Sequence, residues 1–251
     1  MFRIASFVLV LMLAITGSAD PVQGISARGG LSGYSRLQGT ELMPTGFLRL
    51  QGRLLHISMD NSGGSYLLLP VTAAWGFYPD MEAALELPVY LDGPGSEEDL
   101  LGDITAGFAW LYETARGGSS LVLSSHLRLP TGMEGRDRGT ELDVGIATGT
   151  TFRLLRLQAY AAYVISGGRD PFEGSLTDYM SFSLGGASYV GEDIQVTWAM
   201  DGTTLGDLGL GCSCLYYLMD DMTLFGDVHA GMSGGESYSL SAGVAWNGGG
   251  F

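Results

Sequence analysis

Between Gly102 and Ser166, apolar and polar side chains alternate with a period of two through four consecutive stretches. None of them carries the i, i+3, i+4 spacing of an amphipathic helix. In 140–152, Leu142, Val144, Ile146 and Thr148 alternate with Glu141, Asp143, Gly145 and Ala147. In 154–166, Leu155, Leu157, Ala159, Ala161, Tyr163 and Ile165 alternate with Arg156, Gln158 and Tyr160. Successive residues of a strand point to opposite faces, so each stretch has one apolar and one polar face. From Gly46 onward the same alternation divides the chain into candidate strands 45–58, 65–77, 80–90, 102–113, 119–130, 140–152, 154–166, 177–190, 192–201, 205–218, 221–232 and 236–246. Each is long enough for a tilted membrane span, which takes roughly 9–11 residues.

The connections separate a barrel from a sandwich. Odd strands are followed by MDNSGGS, LDGPGSEEDLL, LPTGMEGRDRGT, SGGRDPFEGSLTD, MDGTTLGD and MSGGES. Even strands are followed by YPD, ETARGGS, FRL, VGED and LMDDM. Outer-membrane barrels alternate long extracellular loops with short periplasmic turns around an even number of strands, and a sandwich has no reason to do so. The expected fold is all-β, a transmembrane up-and-down antiparallel barrel of about 12 strands, with both termini in the periplasm. The 251 residues suit one domain. Forty glycines, 16% charged residues and a mean hydropathy of +0.21, without an apolar 20-residue helix in the body of the chain, agree with a signal spread over many short spans. Twelve Lys and Arg against 27 Asp and Glu leave a formal charge of -15, which excludes nucleic acid as a partner.

Arg3, the apolar run Phe7 to Ile15 and the small residues Gly17, Ser18 and Ala19 read as a signal peptide over 1–19, with Gly24 as an alternative cleavage position. Export then leads to the bacterial outer membrane. Residues 20–44 are expected to form a periplasmic N-terminal tail or inner flap, and 45–251 the barrel.

In a barrel the apolar faces look at lipid and the opposite faces at the lumen. The expected lumen lining is Arg49, Arg53, Glu82, Glu86, Asp103, His126, Arg128, Glu141, Asp143 and Arg156. Basic strands lie between acidic ones, about 4.8 Å apart. Arg128 is therefore expected to pair with Asp103, Glu141 or Asp143, Arg156 with Glu141 or Asp143, and Glu82 and Glu86 with Arg49 or Arg53. Such a lining either braces a hydrated interior or sets selectivity. The later strands offer Tyr179, Ser181, Ser183, Gln195, Thr197, Gly209, Gly211, Ser213, Ser237, Ser239 and Ser241, a small and uncharged wall.

Chemistry beyond this is sparse. Ser125 and His126 are adjacent and point to opposite faces. His56 and Ser58 share a face without an assignable acid or amide partner, so no catalytic residue is expected. Cys212 and Cys214 share a strand face and read as small apolar side chains, and no metal or cofactor is expected. Asp92, Glu97, Glu98, Asp99, Asp170, Glu173 and Asp178 read as solvated loop charge.

The segments LGDITAGFAWLYE, GGSSLVLSSHLRLPTG and GTELDVGIATG, in this order and preceded by ELPVYL, resemble the core of the outer-membrane family named for the MetA pathway of phenol degradation, often called simply transporters. The likeness covers roughly 80 to 166, and its motifs specify the barrel type better than any substrate. It implies an outer-membrane barrel that acts as a channel or transporter for small solutes, hydrophobic or aromatic ones included. Outer-membrane lipid and the barrel-assembly machinery are the implied partners. The alternatives are a non-conducting structural or surface-interaction barrel and a lipid-modifying barrel enzyme. The terminal Phe251 suits an assembly signal, although the preceding WNGGG departs from the usual alternation.

Overall fold

The computed structural model describes residues 42–59, 64–93, 100–113, 119–132, 139–152, 155–167, 177–233 and 236–249, with the short paired segments Ile25–Ser26, Ser32–Tyr34, Leu37–Gln38, Arg169–Asp170 and Gly174–Ser175. The expected signal peptide, Phe251 and the loop residues Glu97, Glu98, Asp99 and Glu173 lie outside the described residues.

Twelve strands, numbered here in chain order, close into one antiparallel barrel: β1 Phe47–Met59, β2 Ser65–Tyr78, β3 Met81–Asp92, β4 Thr105–Glu113, β5 Ser119–Arg128, β6 Glu141–Phe152, β7 Leu155–Ser166, β8 Tyr179–Tyr189, β9 Ile194–Thr203, β10 Leu208–Met219, β11 Met222–Ser233 and β12 Glu236–Gly249. Each pairs with its neighbour in sequence, and β12 returns to β1 in a ladder running from Gly249↔Phe47 to Glu236↔Met59. Closure leaves no sheet edge, which backbone in lipid requires. Both barrel termini therefore lie at the rim that carries the short turns.

At that rim Pro79 presets its own φ and Asp80 takes a φ of 63°, so β2 reverses into β3 within two residues. The alternation of long and short connections holds through β8 and then lapses. On the long-loop side, β9–β10 and β11–β12 are joined by only 204–207 and 234–235, because these strands run further than their sequence pattern suggests.

The two faces differ as the period of two demands. Outward side chains are apolar and open to the surroundings, among them Leu85, Val144, Ile146, Leu184, Leu210, Val228 and Leu240. Trp75, Phe77 and Phe108 form a chain of ring contacts near the short-turn rim, and Trp110 meets Tyr112 edge-on at 6.1 Å beside them. Trp246 and Tyr216 share that level, the position of an interfacial girdle. Ile146 is 50% exposed halfway along β6. Ile146→Arg is therefore expected to lower the stability of the barrel in lipid by about 2–4 kcal/mol. Urea titration of the protein in vesicles measures this, and a change below about 1 kcal/mol would place Ile146 away from lipid.

The strands do not pair uniformly. β3 and β4 pair from Met81↔Trp110 to Glu86↔Thr105. Beyond that β3 is flanked instead by Leu100 to Gly102, through Tyr90 N–H to the Leu100 carbonyl and Gly102 N–H to the Pro88 carbonyl. Pro88 in turn faces Pro70 of β2.

Candidate functional site: the barrel lumen

The inward faces of β1 to β7 carry the charged residues expected from the sequence, and the register decides which of them meet. His126 and Asp143 are direct cross-strand partners, as are Arg128 and Glu141. The His126 Nδ1 lies 2.8 and 3.0 Å from the two Asp143 oxygens, and Arg128 Nη2 lies 3.1 Å from Glu141 Oε1. Arg53 approaches Glu86 at 4.0 Å. Arg49 donates from Nε to Asn247 Oδ1 at 2.7 Å and lies within the field of Glu82.

One expectation needs correcting. Arg156 pairs in register with Thr151 at the short-turn end of β7, whereas Glu141 and Asp143 face Ser166 and Val164 at its other end. Eight residues of strand separate Arg156 from the partner of Asp143, about 26 Å at 3.3 Å per residue, so no ion pair forms between them. Asp103 precedes β4 and accepts the Gly132 N–H at 2.8 Å, tying the start of β4 to the β5–β6 connection.

Inside the short-turn rim the chain before β1 enters the lumen. Met43 is 2% exposed and clusters with the inward Ala74, Ala84, Ala109, Val122 and Ala147 of β2 to β6, with Leu42, Leu111 and Tyr160 against the cluster. Its N–H donates to Glu82 Oε2 at 2.7 Å, and Glu82 is fully buried. The Gly46 N–H donates to the Gly76 carbonyl at 2.7 Å. A Cβ at Gly76 would overlap the carbonyls of Met43 and Pro44, so the bare backbone there makes room for the segment. Small residues on five strands thus form a socket for one methionine. Leu215, Tyr217, Phe225 and Ala245 cluster on β10 to β12 near the same rim, with Tyr217 donating to Gln195 at 2.9 Å.

At the opposite, long-loop end the interior of β1 to β3 turns apolar. Tyr66, Leu68 and Tyr90 are buried together, with Leu55, Ile57 and Met59 packed on them, and the rings of Tyr66 and Tyr90 meet edge-on at 6.2 Å. The sequence hides this patch because Tyr66 to Pro70 reads as a continuous apolar run whose alternate members, Leu67 and Leu69, face lipid.

The wall of β9 to β12 is not the uncharged surface expected of it. Asp201, Asp227, His229 and Glu236 lie on it, with His229 between Asp201 at 3.1 Å and Glu236 at 3.0 Å. The Ser241 hydroxyl donates to Asp227. The inward row Thr223, Phe225, Asp227, His229 of β11 was legible in principle, but inward Phe225 and outward Gly226 blur its alternation.

Several residues singled out in the sequence lie outside the lumen. His56 lies on the lipid face of β1, between Leu67 and Leu240 in register, and stacks on Tyr238 at 5.8 Å. Among the described residues it has no hydrogen-bond partner. Cys212 and Cys214 are free thiols on the lipid face of β10. Of the acidic loop residues, Asp92 accepts the Gly93 N–H, and Asp178 accepts from the Tyr163 hydroxyl and the Ser166 N–H. Among the described residues no cluster of three or more His, Cys, Asp or Glu suits a metal ion.

No protein-family model and no curated protein sequence matches the chain. Solved structures do. The COG4313 outer membrane channel from Pseudomonas putida F1 superimposes with a TM-score of 0.64 at 13% identity, over 83% of this chain and 98% of that one. The NanC porin follows at 0.61 and 10% identity, over 79% and 98%. Outer membrane phospholipase A from Escherichia coli matches at 0.54 and 10% identity, over 78% and 89%. The fold is that of bacterial outer-membrane barrels, and the bacterial outer membrane is the compartment this fold serves.

Proposed function

We propose that the protein is a passive outer-membrane channel for small solutes of apolar or aromatic character, in line with the resemblance of residues 80 to 166 to the phenol-degradation transporters. The observation that carries this reading is the apolar cluster of Leu55, Ile57, Tyr66, Leu68 and Tyr90 inside the long-loop end, leading toward an ion-paired midsection. An inward apolar patch at a barrel mouth has no role in facing lipid, and it offers an aromatic solute a dry surface before the charged section. Arg49, Arg53, Glu82, Glu86, Asp103, His126, Arg128, Glu141, Asp143 and Arg156 then brace and tune the passage. The chain ahead of β1 serves as an inner flap seated through Met43. Outer-membrane lipid surrounds the belt, and the barrel-assembly machinery is the partner for insertion.

Block of ion current tests the solute class. An aromatic alcohol added on the long-loop side is expected to interrupt the current, and Leu68→Ser to weaken that block about tenfold, the worth of one buried leucine contact. A current indifferent to every aromatic solute tried would remove the apolar reading while leaving the channel.

A further inference from the structure

Residues 194–249 contain no lysine or arginine, yet the inward faces of β9 to β12 place Asp201, Asp227 and Glu236 in the lumen. Among the described residues of these strands the group able to carry positive charge is His229, whose side chain is 4% exposed. Its Nε2 reaches Asp201 Oδ1 on β9 at 3.1 Å, and its Nδ1 reaches Glu236 Oε1 at the start of β12 at 3.0 Å. β9 and β11 are not neighbours, since β10 runs between them, and Asp201 and Gly231 both register on Gly209. A Cβ at position 209 would overlap the imidazole, so the ring crosses β10 where that strand has no side chain.

The chemistry of the ring gives this arrangement a condition. A neutral imidazole has one N–H and one lone pair, so between two ionised carboxylates it satisfies one and presents a lone pair to the other. Both contacts are hydrogen bonds when the ring carries two protons. Among the described residues of β9 to β12 the remaining charge is also acidic. On β11 it is Asp227, which accepts the Ser241 hydroxyl. β10 presents Gly209, Gly211 and Ser213, β12 follows Glu236 with serines, and Asp207 beside β9 accepts the Thr203 hydroxyl at 3.0 Å.

We propose that His229 is a proton-operated tie at the long-loop mouth, which when protonated holds β9 and β12 together across Gly209 and offsets one carboxylate charge. Loss of the proton removes one of the two ring contacts, to Asp201 or to Glu236, loosens the β11–β12 hairpin and leaves the wall one charge more negative, favouring cations and cationic solutes.

Two measurements on the full-length refolded protein test this. Histidine side-chain NMR in micelles from about pH 5 to about pH 9 is expected to show a His229 ring with two N–H protons in acid that loses one as pH rises. Amide protection in 229–238, taken relative to the intrinsic base-catalysed exchange rate, should fall over the same interval, and His229→Gln should abolish that fall. In bilayers, the cation-to-anion permeability ratio should rise about fivefold over this interval, since one charge about 8 Å away through water acts roughly twofold on each ion and in opposite senses. It should stay level in His229→Gln. A ring held in one neutral tautomer throughout, or a His229→Gln protein with unchanged pH dependence of protection, overturns the tie. The permeability arm rests on the channel reading and the NMR arm does not, so absence of current with a titrating, strand-coupled ring would sink the channel alone.

Discussion

Gly243→Val is expected to prevent the barrel from closing in a large fraction of molecules. Gly243 lies on the inward face of β12 opposite Arg53, in the seam where the last strand meets the first. A Cβ there would overlap the Gly52 carbonyl and come within 2.5 Å of the Phe225 ring and 2.7 Å of the Arg53 Cβ. One of these obstacles is backbone of the partner strand, which cannot move without breaking the ladder that closes the barrel. Overpacking of this kind costs about 1–3 kcal/mol in an ordinary core and more where backbone must shift. Here it acts on the contact that removes both sheet edges at once. The adjacent Ala242 faces lipid opposite Leu54 and gives the control, since Ala242→Val adds apolar surface where apolar surface belongs. The folded band on an unheated denaturing gel should fall sharply for Gly243→Val and hold for Ala242→Val. Equal bands for the two variants would mean that the β12–β1 seam is not a tight contact.

The second large effect concerns Met43. Met43→Gly removes the side chain that fills the socket of Ala74, Ala84, Ala109, Val122 and Ala147, and Glu82→Leu removes the carboxylate that receives the Met43 N–H. The two changes act on one seat by different chemistry. Glu82 is also tied electrostatically to Arg49, so its loss leaves a buried cation without that partner and is expected to destabilise the barrel by about 3–5 kcal/mol. Met43→Gly has no such cost to the wall, because the socket belongs to strands held by their own ladders. It is the cleaner probe, with an expected rise of about twofold or more in single-channel conductance as the lumen widens at the socket. Unchanged conductance would mean that ions pass elsewhere or that the segment stays seated without its methionine.

These residues also show how much could be read ahead of the fold. The strands were legible because lipid on one side and a lumen on the other enforce a strict period of two. Ile146 and Glu141 fall on their proper faces for that reason alone. The pairing of charges was only half legible. Arg128 with Glu141 follows because the two residues close the long β5–β6 loop at the ends of neighbouring strands, while Arg156 lies at the short-turn end of β7, opposite Thr151 rather than the acidic end of β6. Asp143 meets His126, a choice made by register. The Met43 socket had no visible signal, since four alanines and a valine spread over five strands look like ordinary small residues until the barrel brings them together. His229 escaped for the opposite reason. Its partners lie 28 residues before it and 7 after, and the Gly209 that lets the ring cross β10 reads in the sequence as one more glycine in a glycine-rich strand.

Single-channel recording of the refolded full-length protein in planar bilayers tests the central claim most directly. Discrete current steps are expected, larger in Met43→Gly and interrupted by aromatic solutes in the unaltered protein. A barrel that runs as folded on an unheated gel, inserts into the bilayer and passes no discrete current, either as it stands or with Met43 removed, would contradict the channel.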